Sequence, residues 1–109
     1  MIDSLAWIAL SGAGCCEVLA ATCILLSEGM RRTRWLVGFV VAMTGSLFLL
    51  SVAVRTIPIG SAYAVWTGIG AVGTTAVGMI AFNESRAPRR IACLLLILAG
   101  VVGLRLSAV

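Results

Sequence analysis

Glu17 is the one acidic residue set well inside an apolar run of this chain, more than two helical turns from either end of that run. In a bilayer, an ionisable group at that depth costs at least about 2.5 kcal/mol and is by default functional. The structural alternative is a carboxylate held in a buried ion pair or hydrogen-bond network. No Lys, Arg or His lies in the body of any apolar run to serve as its partner. Removal from water disfavours the charged form of a carboxylic acid. Such a group can take up a proton and release it when a cation arrives, which is the minimum chemistry of an exchanger. Enzyme chemistry is not indicated: there is no second acid or base beside it, no nucleophile with a base and no metal-ligand cluster.

Other residues could share that work. Ala13 and Gly14 precede Glu17 by about one turn, and Ala20 and Ala21 follow it by one. Small side chains there leave room for a ligand, Gly14 included, or for a neighbouring helix. Tyr63 and Trp66 are three residues apart and share a helix face. Aromatic faces attract cations, most strongly where water is excluded. Their place soon after Pro58 equally suits an interfacial aromatic belt. Ser46 can hydrogen-bond across helices or, as is more common, to its own backbone. Gly68, Gly70, Gly73 and Gly78 permit close packing and bending. Ala92, Leu96, Gly100 and Gly103 fall near one face, either a dimer seam or a lipid-facing surface.

The elements that position these residues are four apolar segments, at about 5–26, 35–54, 59–82 and 91–109. Each approaches the roughly 20 residues that a helix needs to cross the hydrocarbon core. Of 109 residues, 61% are hydrophobic and 11% charged, and the mean hydropathy is +1.16. A water-soluble domain of this size cannot hide so much apolar surface; in lipid that limit disappears. The expectation is one all-α domain of four transmembrane helices. The N-terminal run, with Asp3 in place of a basic leader, does not read as a cleavable signal.

The breaks between the runs are short. Residues 27–34 hold Gly29, suited to a left-handed helix end, followed by Arg31 and Arg32. Pro58 marks the second break, and residues 83–90 form the third. All eight basic residues are Arg. They lie between apolar runs rather than on one face, so the pI near 9.4 signals membrane orientation and not nucleic acid. Arg31, Arg32, Arg34, Arg86, Arg89 and Arg90 lie on one side, against Arg55 and Arg105 on the other. The positive-inside rule then places both termini outside the cytoplasm. Arg105, near the end of the last run, snorkels to the interface. Cys15, Cys16, Cys23 and Cys93 lie within apolar runs without metal-ligand spacing and read as small, buried, reduced residues.

These residues resemble the small multidrug resistance transporters along nearly the whole chain. The resemblance rests on Glu17-Val18, on Ser27-Glu28-Gly29, on the long run IPIGSAYAVWTGIG at 57–70, and on Gly100-Val101-Val102-Gly103-Leu104. It implies a four-helix subunit of an antiparallel dimer in a bacterial cell membrane. It also implies that protons and cations compete at Glu17, and that Tyr63 and Trp66 line that site. By the same resemblance Gly68 and Gly70 mark a bend in the third helix, and the fourth helix, with Gly100 and Gly103, supplies dimer contacts. No cofactor is implied. Two positions depart from the pattern. Leu25 replaces a lysine common two residues before Ser-Glu-Gly, and Ala20 replaces a tryptophan usual in guanidinium exporters. Yet Gly14 and the run WTGIGAVG at 66–73 look more like the guanidinium branch.

The expected function is a proton-coupled antiporter subunit that exports organic cations of the quaternary-ammonium, multidrug type. The alternative within the family is guanidinium export. The alternative of another class is a non-transporting membrane assembly subunit, against which an unpaired carboxylate in lipid counts. The charge bias of the loops further predicts a heterodimer with a second family member.

Overall fold

The computed structural model describes residues 2–107. Its helices are α1 (Ile2–Leu26), α2 (Thr33–Ala53), α3 (Ile59–Ala81) and α4 (Pro88–Ser107). There is no strand among the described residues. All four helices are long and apolar enough to cross a membrane. Residues 108 and 109, at the end of the fourth expected span, lie outside the described residues.

The turn after α1 is built on Ser27, which is fully buried. Its hydroxyl donates to the Ile24 carbonyl at 2.6 Å and accepts the Met30 N–H at 3.1 Å. Its carbonyl accepts the N–H groups of Arg31 and Arg32, at 2.9 and 3.0 Å. The chain reverses through three consecutive left-handed residues, Glu28 (φ +52), Gly29 (φ +73) and Met30 (φ +70). Glycine adopts that conformation without strain; the Glu28 N–H bonds to the Leu25 carbonyl and the Met30 N–H to the Ser27 hydroxyl. Glu28 also pairs with Arg32 one turn on.

Pro58 stands immediately before α3, where a fixed φ and a missing N–H do no harm. Its carbonyl accepts the Ala62 N–H at 2.9 Å. At the other end of α3, Asn83 turns left-handed (φ +54). The N–H groups of Phe82 and Glu84 both converge on the Gly78 carbonyl, at 3.1 and 3.0 Å. The Arg86 guanidinium donates to the Met79 carbonyl at 2.8 Å, a positive charge at the negative end of the helix dipole.

α1 is the central element, packed against both α2 and α3, while α4 packs along α3 and reaches α1 through Arg105 over the Trp7 ring. The buried cluster lies toward the Pro58 end of the bundle: Ala6 and Leu10 of α1, Ala53 at the end of α2, Ile57 in the loop that follows, and Ala62 and Val65 of α3. α4 buries no residue at all. Its contact with α3 runs over Gly68, where an added Cβ would stand 2.9 Å from a Val101 methyl and 3.3 Å from an Ile97 methyl. Gly100 and Gly103 face open space.

One expectation needs correction. Cys15 and Cys93 are exposed on the single chain rather than buried, and Cys16 and Cys23 are half-buried; all four are free thiols. α3 is continuously α-helical through Gly68 and Gly70. In this conformation both glycines act as points of close approach, Gly68 toward α4 and Gly70 toward Glu17.

Candidate functional site

An open groove of about 480 Å³ lies along the junction of α1 and α3. α1 contributes Glu17 and Ala21, and α3 contributes Tyr63, Trp66, Thr67, Gly70, Ala71 and Thr74. Three residues singled out from the sequence, Glu17, Tyr63 and Trp66, are thus brought to one cavity. The reason is local. Glu17 projects from α1 toward α3 at Gly70, where an added Cβ would come within 2.9 Å of its Cγ. Only a residue without a side chain lets the two helices meet there with a carboxylate between them.

Glu17 Oε2 is buried and has no hydrogen-bond partner. A buried acceptor without a donor carries a desolvation penalty of about 1–3 kcal/mol, and more when charged. The group is therefore primed for whatever brings it a donor: a proton, or a cation bearing N–H groups.

The aromatic wall is held from behind. The Trp66 indole N–H donates to Ser46 Oγ at 2.9 Å. The Ser46 hydroxyl in turn donates to the Ala13 carbonyl of α1 at 2.7 Å. Ser46 is fully buried and ties three helices together, instead of bonding its own backbone as most serines in helices do. Placed behind Trp66, it does not line the groove. The bond to Ser46 sets the Trp66 ring inward. Tyr63 lies across it, with ring centroids 5.5 Å apart and planes at 55°. The faces of such rings, where the ring quadrupole is negative, are what attract a cation.

Gly14 does not line the groove either. Its Cα is covered by Ile69, a methyl of which would lie 2.5 Å from an added Cβ, so its place is helix packing. Gly100 and Gly103 are remote from the groove, on the open face of α4. Sequence reasoning missed Thr67 and Thr74, which stand seven residues apart on the groove face of α3. The signal was available, because that spacing repeats after two turns. Arg105 is not a partner for Glu17; its guanidinium lies 5.2 Å from the centroid of the Trp7 ring. Glu84 pairs with Arg90 at 2.7 Å in the third loop. Among the described residues no cluster of side chains could hold a metal ion.

Four membrane-length helices, with a buried acceptor oxygen on an aromatic-walled groove, define a multi-pass membrane protein with a candidate cation site. Comparison with known proteins supplies the lineage. The profile of the family described as Small Multidrug Resistance protein matches residues 5–97, and the chain belongs to that family of transporters. It is 47% identical to a guanidinium exporter of Yersinia pseudotuberculosis over 104 residues, covering 95% of this chain and 100% of the relative. It is 44% identical to a guanidinium exporter of Salmonella typhimurium, over 95% of this chain and 99% of the relative. A guanidinium exporter of Citrobacter freundii is 45% identical, over 94% and 98%. Membership of a transporter family sets aside the reading as a non-transporting assembly subunit.

Proposed function

We infer that this chain is one subunit of a proton-coupled guanidinium exporter in the bacterial inner membrane. Glu17 binds either a proton or the cation, Tyr63 and Trp66 form the aromatic wall, and Ser46 positions Trp66. The observation that carries this reading is the unsatisfied Glu17 Oε2. Guanidinium is planar, and its N–H groups match a carboxylate in a two-bond fork. A quaternary ammonium ion has no N–H and would leave that buried oxygen without a donor. The identity to three proteins named as guanidinium exporters supports the same choice.

The working unit is an antiparallel dimer. The unburied face of α4, with open space over Gly100 and Gly103, supports a contact with a second subunit there. The six-to-two distribution of Arg supports a single orientation, with both termini outside the cytoplasm. A chain that inserts one way needs an oppositely inserted family member as partner.

The test is proton flux in proteoliposomes, for the chain alone and co-expressed with a second family member. A guanidinium gradient is expected to drive proton movement, and a tetrapropylammonium gradient to drive little. The opposite order would restore the quaternary-ammonium reading, and a gradient of guanidinium that moves no protons would remove the coupled mechanism.

A further inference from the structure

Thr67 and Thr74 are two hydroxyl-bearing residues on the groove face of α3, and the exporter mechanism above gives them no role. A threonine inside a membrane helix ordinarily satisfies its hydroxyl by donating to the carbonyl four residues back. Thr22 and Thr44 of this chain do so, at 2.9 Å to Val18 and 2.7 Å to Val40. Thr67 and Thr74 form no such bond; both are exposed on the single chain, and both face the groove. Their hydroxyls are free to bind what enters it.

Their placement relative to Glu17 is specific. Seven residues along an α-helix is two turns, or about 10 Å. Between them lies Gly70, the point where the Glu17 side chain meets α3. A cation on the carboxylate therefore has one hydroxyl about a turn away toward each end of α3. The chemistry of guanidinium needs such neighbours. The carboxylate fork engages two of its N–H groups. The others point away, and in a desolvated groove each requires an acceptor.

We propose that Thr67 and Thr74 are substrate-binding residues, whose hydroxyl oxygens accept the guanidinium N–H groups that Glu17 leaves free. They thereby select planar, donor-rich cations over cations without N–H. This inference rests on the reading of the chain as a guanidinium exporter.

The experiment compares wild type with Thr67→Val, Thr74→Val and the double valine variant, all in the assembled transporter in proteoliposomes. Valine keeps the shape and removes the hydroxyl; Thr67→Ser and Thr74→Ser keep the hydroxyl and remove the methyl. The readout is the KM for guanidinium-driven proton flux, with thermal unfolding as a check on folding. Each valine variant is expected to raise KM at least about tenfold, the loss of one hydrogen bond to a charged donor. The serine variants should stay within about threefold of wild type. N,N,N′,N″-tetramethylguanidinium keeps one N–H on each of two nitrogens, the pair that a carboxylate fork engages, and no other, so the valine substitutions should leave its affinity unchanged. A double valine variant with wild-type KM for guanidinium overturns the proposal and leaves the exporter reading intact. Equal losses in the valine and serine variants also overturn it, because the role would then be steric. A wild-type protein that carries no guanidinium overturns both.

Discussion

Glu17 of α1 is seated directly on Gly70 of α3: a Cβ added to that glycine would stand 2.9 Å from the glutamate Cγ. The carboxylate is therefore positioned by the absence of a side chain. Gly70→Ala is expected to push Glu17 off α3, at a cost of about 1–3 kcal/mol for an overpacked contact, and to weaken guanidinium binding about tenfold or more. Gly60→Ala is the matched control, because nothing lies within 4 Å of a Cβ there; it should be neutral or stabilise by up to about 1 kcal/mol. Binding and thermal unfolding in detergent distinguish the two. Wild-type affinity in Gly70→Ala would show that Glu17 does not depend on this contact.

Glu17→Gln keeps the size of the side chain and removes its ionisation. It is expected to abolish guanidinium-driven proton flux while the protein still inserts and folds. If proton and cation share the Glu17 oxygens as proposed, guanidinium affinity in the wild type should fall as the medium is acidified. Affinity that stays flat from mildly acidic to mildly basic solution would separate the two sites.

The chain of bonds from Trp66 through Ser46 to Ala13 predicts a coupled pair of substitutions. Ser46→Ala leaves the Trp66 indole N–H without its acceptor and removes the second bond on the Ala13 carbonyl, and should cost about 1–3 kcal/mol of stability. Trp66→Ala should weaken binding of aromatic cations by roughly 1–2 kcal/mol, and Trp66→Phe should retain part of the affinity. If Ser46 acts by orienting Trp66, the Ser46→Ala effect on binding shrinks in a Trp66→Phe background. Additive effects in that double-mutant cycle would make the two residues independent.

Much of this site was legible in the sequence, for a physical reason. A carboxylate in an apolar run, or two aromatics three apart, is visible within one helix and needs no knowledge of neighbours. What depends on the register between helices was not legible. Ser46 and Ala13 are 33 residues apart, and nothing local says that one faces the other. Gly14 has the composition of a ligand-clearing residue, but the approach of Ile69 makes it a packing position. Thr67 and Thr74 looked like ordinary members of a glycine-rich stretch, because a hydroxyl bonded to its own helix and one facing a cavity read alike. The three-residue left-handed turn at 28–30 was also only partly visible: Gly29 announced it, while Glu28 and Met30 share the conformation, with their N–H groups bonded to the Leu25 carbonyl and the Ser27 hydroxyl.

Loop charge makes a prediction about assembly. With six Arg on one side and two on the other, the chain should insert almost always one way. The measurement is labelling of single cysteines, placed in the first loop or at the C-terminus, with an impermeant reagent. The background must lack Cys15 and Cys93, which are exposed. Labelling of the C-terminal site alone from outside is the expected pattern. Comparable labelling of both sites would show dual insertion, and the heterodimer would lose its basis.

Every residue that lines the groove lies at or before Thr74, and α4 begins only at Pro88. Polypeptides are synthesised from the N-terminus, and segments can assemble as they emerge. The entire lining of the groove has therefore been translated before the first residue of α4 exists. A stop codon in the third loop would strip away a flank and spare the carboxylate, its glycine seat and its aromatic wall. In biogenesis the last helix arrives as an addition to a finished cavity.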